Sequence, residues 1–146
     1  MDVVKKEIKI AIVEDDIFYA EALRKYIDNE FSKSGNSLDV KVNHYLSAQQ
    51  CLEETDADVD IILLDYYLED DAGDIPFPGI SLLRAINSYW KRSKVIVISG
   101  QNNQEVTIEL FQNGIYEYIM KDEQTFSRLS STLRRAIREK ILDYYI

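Results

Sequence analysis

Four short runs of apolar residues, Ile8 to Val13, Val40 to Tyr45, Ile61 to Leu64 and Val95 to Ile98, recur along the chain with longer mixed stretches between them. A fifth run, Tyr116 to Met120, is less uniform. Short runs rich in Ile and Val have the length and the branched side chains of strands. The intervening stretches place apolar residues three and four apart, as in Ala20, Leu23, Ile27 and Phe31, or Phe126, Leu129, Leu133, Ile137 and Ile141. That spacing predicts helices that bury one stripe. Strands alternating with helices imply parallel pairing through right-handed crossovers, and nearly continuous Ile/Val/Leu strands imply a sheet covered on both faces. The predicted fold class is α/β, a three-layer, doubly wound five-stranded parallel sheet with five helices.

Local punctuation supports these boundaries. Ser47 can cap the helix that begins at Ala48, Asn102 or Asn103 can cap the one through Val106 and Leu110, and Gly114 suits its end. The final helix runs to about Leu142. The segment Glu69 to Pro78 holds both prolines of the chain and four carboxylates, and it reads as an exposed acidic loop. Without internal repeats or a low-complexity linker, residues 1–146 are expected to form one domain with its core at about 8–142, and no output domain is expected in this chain.

Composition narrows the function classes. Seventeen Lys and Arg against 26 Asp and Glu give a formal charge of −9, which disfavours direct binding to nucleic acid. One cysteine, Cys51, and one histidine, His44, cannot build a disulfide framework or a Cys/His zinc site. No signal-peptide core or membrane-length apolar stretch is present, so a cytoplasmic protein without membrane contact is expected.

In an open parallel sheet, ligands bind beyond the carboxyl ends of the strands. Here the first run ends in Glu14, Asp15 and Asp16, the third in Asp65, the fourth in Ser99 and Gly100, and the fifth is followed by Lys121. Carboxylates gathered in one place repel unless a cation or protons intervene, and hard oxygen ligands favour Mg²⁺. Asp15 or Asp65 alone could be an ordinary helix-capping acid. Together with Ser99 and Lys121 at matching strand ends, they point to a site. Asp16 reads as the cap of the first helix, His44 as a half-buried strand residue with no chemical task, and Cys51 as a small core residue.

The strings IAIVEDD, IILLDYYL, VIVISG and YEYIMKD, with Ser99 and Lys121 separated by 22 residues, resemble the receiver domain of two-component response regulators across nearly the whole chain. The resemblance implies a flavodoxin-like strand order 2-1-3-4-5. It also implies Asp65 as phosphoacceptor, Glu14 and Asp15 as the acidic pair, and the Tyr67 backbone carbonyl as the remaining protein ligand of Mg²⁺. Ser99 becomes the switch hydroxyl, Lys121 the basic residue and Tyr118 the switch aromatic, while Tyr67 and Gln101 flank the path of hydrolytic water. The implied partner is a histidine kinase or histidine phosphotransfer protein, with a phosphorylation-dependent homodimer through the fourth helix, fifth strand and fifth helix. No enzymatic activity is expected beyond the domain's own phosphorylation and dephosphorylation.

Two features depart from the family pattern. Asp122 stands after Lys121 where receivers typically carry proline, often after a cis bond, and the acidic segment follows Asp65 closely. The Arg128, Arg134, Arg135, Arg138 and Lys140 group reads as a solvated helix face or as half of a partner surface, with Glu109, Glu117, Asp122 and Glu123 as the other half. Competing functions are less well matched. A phosphatase of the haloacid dehalogenase type would want Asp-x-Asp after its first strand, a flavodoxin-like cofactor binder would want a Ser/Thr/Gly-rich loop where the acids stand, and a pseudo-receiver would lack part of the residue set.

Overall fold

The computed structural model of the chain describes residues 7–32, 38–56, 58–65, 67–69, 76–89, 92–100 and 104–144. Five strands, β1 (Glu7–Val13), β2 (Asp39–Tyr45), β3 (Ile61–Asp65), β6 (Lys94–Ser99) and β7 (Glu117–Met120), form one sheet in the order β2-β1-β3-β6-β7. All of its pairings are parallel, so counting only this sheet's strands the order is the expected 2-1-3-4-5. Five helices connect them: α1 (Ile17–Ser32), α2 (Ala48–Glu54), α3 (Gly79–Tyr89), α4 (Gln104–Gln112) and α5 (Thr125–Tyr144).

Alternation along the strands divides the core into two layers. Ile8, Ile10, Ile12, Ile61, Leu63, Ile96 and Ile98 pack against Ala20, Leu23 and Ile27 of α1 and Leu129, Leu133 and Ile137 of α5. Ala11, Val13, Ile62, Leu64, Val95 and Val97 meet Cys51 of α2, Leu83 and Ile86 of α3 and Leu110 of α4 on the other face. Burial on both faces explains the near-continuous apolar strands.

The helix ends follow local chemistry. Asp16 caps α1, its Oδ1 accepting from the Phe18 and Tyr19 amides at 3.0 and 3.1 Å. Ser47 Oγ accepts from the Gln50 amide at the start of α2. The expected caps Asn102 and Asn103 of α4 lie outside the described residues.

The acidic segment is not simply a loop. Its flanks pair as a small antiparallel ribbon, β4 (Tyr67–Glu69) with β5 (Pro76–Pro78), in the register Tyr67↔Pro78, Leu68↔Phe77 and Glu69↔Pro76. Because proline has no N–H, Phe77 is the only residue of β5 that can donate to this ladder. The presence of two prolines favoured a loop reading, whereas their alternate placement tolerates a short edge ribbon. Residues 70–75 lie outside the described residues.

At the end of α4, Gly114 adopts φ +92°, and the Ile115 amide reaches back to the Leu110 carbonyl at 3.3 Å. A Cβ here would find ordinary space, its nearest neighbour being Asn87 Nδ2 at 3.8 Å, so a substitution would meet backbone strain rather than a clash. Gly114→Ala should therefore destabilise the protein by about 1–2 kcal/mol, the left-handed cost for an L-residue. Urea unfolding checks this, and an unchanged midpoint would contradict it.

Candidate functional site

The sheet register builds the site. Val13 pairs with Leu64, so Glu14 and Asp65 leave adjacent strands side by side. Asp65 pairs with Ile98, so Ser99 follows directly on the neighbouring strand. Ser99 pairs with Met120, which brings Lys121 to the same edge, and the Lys121 amide donates to the Ser99 carbonyl at 2.8 Å.

Oxygen atoms of Glu14, Asp15 and Asp65 lie within 4.8 Å of one another. Glu14 is buried, Asp65 half-buried and Asp15 exposed. Lys121 Nζ stands 3.3 and 3.4 Å from the two Glu14 oxygens and 3.5 Å from Asp65 Oδ2. One ammonium does not neutralise three carboxylates. Burial, followed by the hydrogen bond and charge of Asp65, raises the Glu14 carboxyl from 4.5 to about 8 against the opposing pull of Lys121. Lys121 is itself held above its ordinary range: burial pulls it down, but the Asp65 and Glu14 charges outweigh that effect.

A hard divalent cation fits this donor set. All three contributors are carboxylate oxygens, and burial together with Asp65 favours a proton on Glu14 that a cation could replace. Tyr67, whose carbonyl was assigned the remaining protein ligand, begins β4 two residues beyond Asp65, opposite a proline that cannot donate to that carbonyl.

The other assigned residues divide clearly. Ser99 is buried at the end of β6. Tyr118 on β7 is half-buried and packs against the α2/α3/α4 core layer. Gln101 lies outside the described residues.

Sequence reasoning missed several supports. His44 was given no task, yet its Nε2 donates to the Glu14 carbonyl at 2.8 Å while the Glu14 amide donates to the Tyr45 carbonyl, so β2 fixes the backbone of the acidic turn. Tyr19 lies beneath Lys121, with Nζ 4.5 Å from its ring centroid. It sits in the first turn of α1, and nothing in the local pattern announces a contact with a residue 102 positions later.

The Lys121–Asp122 peptide is trans. Asp122 provides local anchoring in place of the usual proline: its amide donates to Thr125 Oγ1 at 2.8 Å, and its Oδ1 accepts from the Gln124 amide at 2.7 Å. Three exposed α5 arginines make ion pairs within the chain. Arg135 pairs with Glu117, Arg128 with Asp122 and Arg134 with Glu30, all within the chain. Lys140 is buried rather than solvated, and it donates to the Arg92 carbonyl at 2.6 Å. Two of the acids expected on the opposite half of a dimer surface, Glu117 and Asp122, thus have partners within the chain.

The chain belongs to the response regulator receiver domain family, whose model matches residues 10–134. It is the receiver domain of a two-component response regulator. The transcriptional regulatory protein DcuR of Shigella flexneri is 27% identical over 128 residues, covering 86% of this chain and 48% of DcuR, and the Escherichia coli protein of that name matches to the same extent. The chain thus spans about half the length of the curated relatives it matches. Among solved structures, the signal receiver domain of a putative LuxO repressor protein from Vibrio parahaemolyticus superposes with a TM-score of 0.73 at 20% identity, covering 93% of this chain and 97% of that one. A CheY-like receiver domain protein from Methanospirillum hungatei gives 0.70 at 19%, with 94% and 98% covered.

The raised Glu14 pKa sets a direction for pH dependence. Between pH 4.5 and about 8 the folded protein keeps a proton that the unfolded chain has released, so this group's contribution to metal-free stability declines as pH rises through that window. A metal ligand must lose that proton. Mg²⁺ affinity should consequently climb with pH, by at most about tenfold per unit, and level off above the Glu14 pKa. Calorimetric titration from about pH 6 to about pH 9 measures it, and a flat profile would contradict the assignment of Glu14.

Proposed function

We propose that this receiver works as a phosphorylation-operated switch, accepting a phosphoryl group on Asp65 from a histidine kinase or histidine phosphotransfer protein. The observation that carries this reading is the convergence of Glu14, Asp15 and Asp65 around Lys121. An Asp65 oxygen forms the new P–O bond as the P–N bond of a phosphohistidine breaks, and the electron pair leaves with the imidazole. A carboxylate is a weak nucleophile, so the help comes from alignment and from neutralising the equatorial oxygens. Mg²⁺, held by Glu14, Asp15, Asp65 and the Tyr67 carbonyl, would supply divalent charge for that purpose.

Lys121 contributes a second positive charge. Once Asp65 carries the phosphoryl group, an oxygen of that group competes with the two carboxylates for the ammonium. The Ser99 hydroxyl, on the adjacent strand end, bonds a phosphoryl oxygen and draws its loop inward. Tyr118, half-buried now, then moves further inward, and the α4–β7–α5 surface changes. The reaction ends on the protein itself, so the domain turns over no external substrate apart from its phosphodonor. With a charge of −9, the surface is unsuited to direct contact with nucleic acid.

Acetyl phosphate with Mg²⁺ should add one phosphoryl group to the native chain and none to Asp65→Asn, read by intact mass and peptide mapping. Modification elsewhere, or none in the native protein, would sink the assignment.

The lifetime of the acyl phosphate should depend on residue 67. A tyrosine two residues beyond the acceptor can shield the in-line approach of water, and a neutral glutamine at 101 supplies no base. Tyr67→Asn should lose phosphate faster than the native chain and Tyr67→Phe at about the same rate. Slower decay in the Asn variant would defeat the shielding account.

A further inference from the structure

We propose that Tyr19 is a positioning residue for Lys121, its ring face holding the ammonium between Glu14 and Asp65 for phosphoryl transfer. This rests on the phosphoacceptor reading above. Lys121 is a flexible side chain with several carboxylate oxygens in reach, and carboxylates alone would draw it wherever the negative charge is greatest. The Tyr19 ring, 4.5 Å from Nζ, supplies an attractive surface of fixed position. A ring face attracts a cation without dictating one hydrogen-bond direction, so the ammonium can slide from the carboxylates toward a phosphoryl oxygen while remaining in contact.

The ring is held from several sides. Its amide is bound by Asp16 Oδ1 at 3.1 Å, so the residue after the Asp15 ligand also sets the platform. Phe126 of α5 lies 6.4 Å away, centroid to centroid, and Tyr26 of α1 stacks on Phe126 at 4.9 Å. An aromatic column thus runs from Lys121 down the α1–α5 seam. The Tyr19 hydroxyl is buried and rests beside Thr125 without an aligned hydrogen bond. Burying an unbonded hydroxyl opposes stability, so the hydroxyl does not account for how the ring is held; the contact with Lys121 is made by the ring face.

The experiment compares Tyr19→Phe, Tyr19→Leu and Tyr19→Met, each also in a Lys121→Ala background and each studied well below its own unfolding midpoint. The readout is beryllofluoride affinity in the presence of Mg²⁺. Leu and Met should weaken binding roughly threefold to thirtyfold, the range for loss of a partly desolvated cation–π contact, and Phe should restore it. In the Lys121→Ala background the three should be equivalent. Loss in Phe equal to that in Leu, or an undiminished Leu effect without Lys121, overturns the proposal.

A second measurement separates this from the phosphoacceptor reading. The Lys121 ε-methylene resonances should show an upfield ring-current shift that Tyr19→Phe keeps and Tyr19→Leu removes, whether or not beryllofluoride binds. Absence of that shift in the native protein overturns the positioning role. Failure of the native chain to bind beryllofluoride while the shift is present overturns the phosphoacceptor reading instead.

Discussion

Three carboxylates and one ammonium compete for a few ångströms at the carboxyl edge of the sheet, and the surrounding structure holds them there against their repulsion. Strand pairing makes the convergence unavoidable: with Val13 beside Leu64, the residues that follow must leave the sheet together. The Ile, Leu and Val side chains below bury both faces of the strands and fix that register. Their burial offsets the electrostatic cost at the edge. Burial and the neighbouring Asp65 raise the Glu14 carboxyl in spite of the opposing pull of Lys121.

The fold was legible because its signal is periodic and repeated. Five apolar runs, helical stripes between them and turn residues at the right places agree with one another, and agreement across levels is what specifies a structure. The site was legible for a related reason: parallel topology sends chemistry-bearing residues to one edge, so Glu14, Asp15, Asp65, Ser99 and Lys121 could be collected from strand ends. What escaped depends on side-chain direction between distant segments. Nothing in the pattern around His44 shows that its ring reaches the Glu14 carbonyl, because that bond crosses 30 residues. The same holds for Lys140, which period alone places on a helix without revealing the Arg92 carbonyl that receives it. Pro76 and Pro78 misled in the opposite way, since their count suggests a loop and only their register with Glu69 and Tyr67 shows how a ribbon avoids their missing donors.

Asp122 illustrates how a local rule can be replaced. The segment after Lys121 must turn sharply into α5 while keeping Lys121 against the Ser99 carbonyl. Here Thr125, buried at the start of α5, accepts from the Asp122 amide, and its hydroxyl can donate to the Met120 carbonyl. Asp122 returns the arrangement by accepting from the Gln124 amide. These bonds pin both sides of Lys121 through a trans peptide. The lysine backbone is therefore constrained on three counts, and its freedom resides in the side chain above Tyr19.

This distribution of constraints indicates where a change at Asp65 can travel. The far end of α5 is tied to the opposite pole of the sheet, where Lys140 donates to the Arg92 carbonyl and stands 3.9 Å from the buried Asp60 carboxylate. Along its length, Arg134 reaches Glu30 of α1 and Arg135 reaches Glu117 of β7. A rigid rotation of α5 would have to break these contacts together, including a buried lysine's bond, which is costly to leave unmade. By contrast, Tyr118 is only half-buried, and Ile108 and Phe111 of α4 are exposed. Under the proposed switch, a movement of the Tyr118 ring would leave those α5 contacts in place, whereas Leu110 holds α4 in the core beneath.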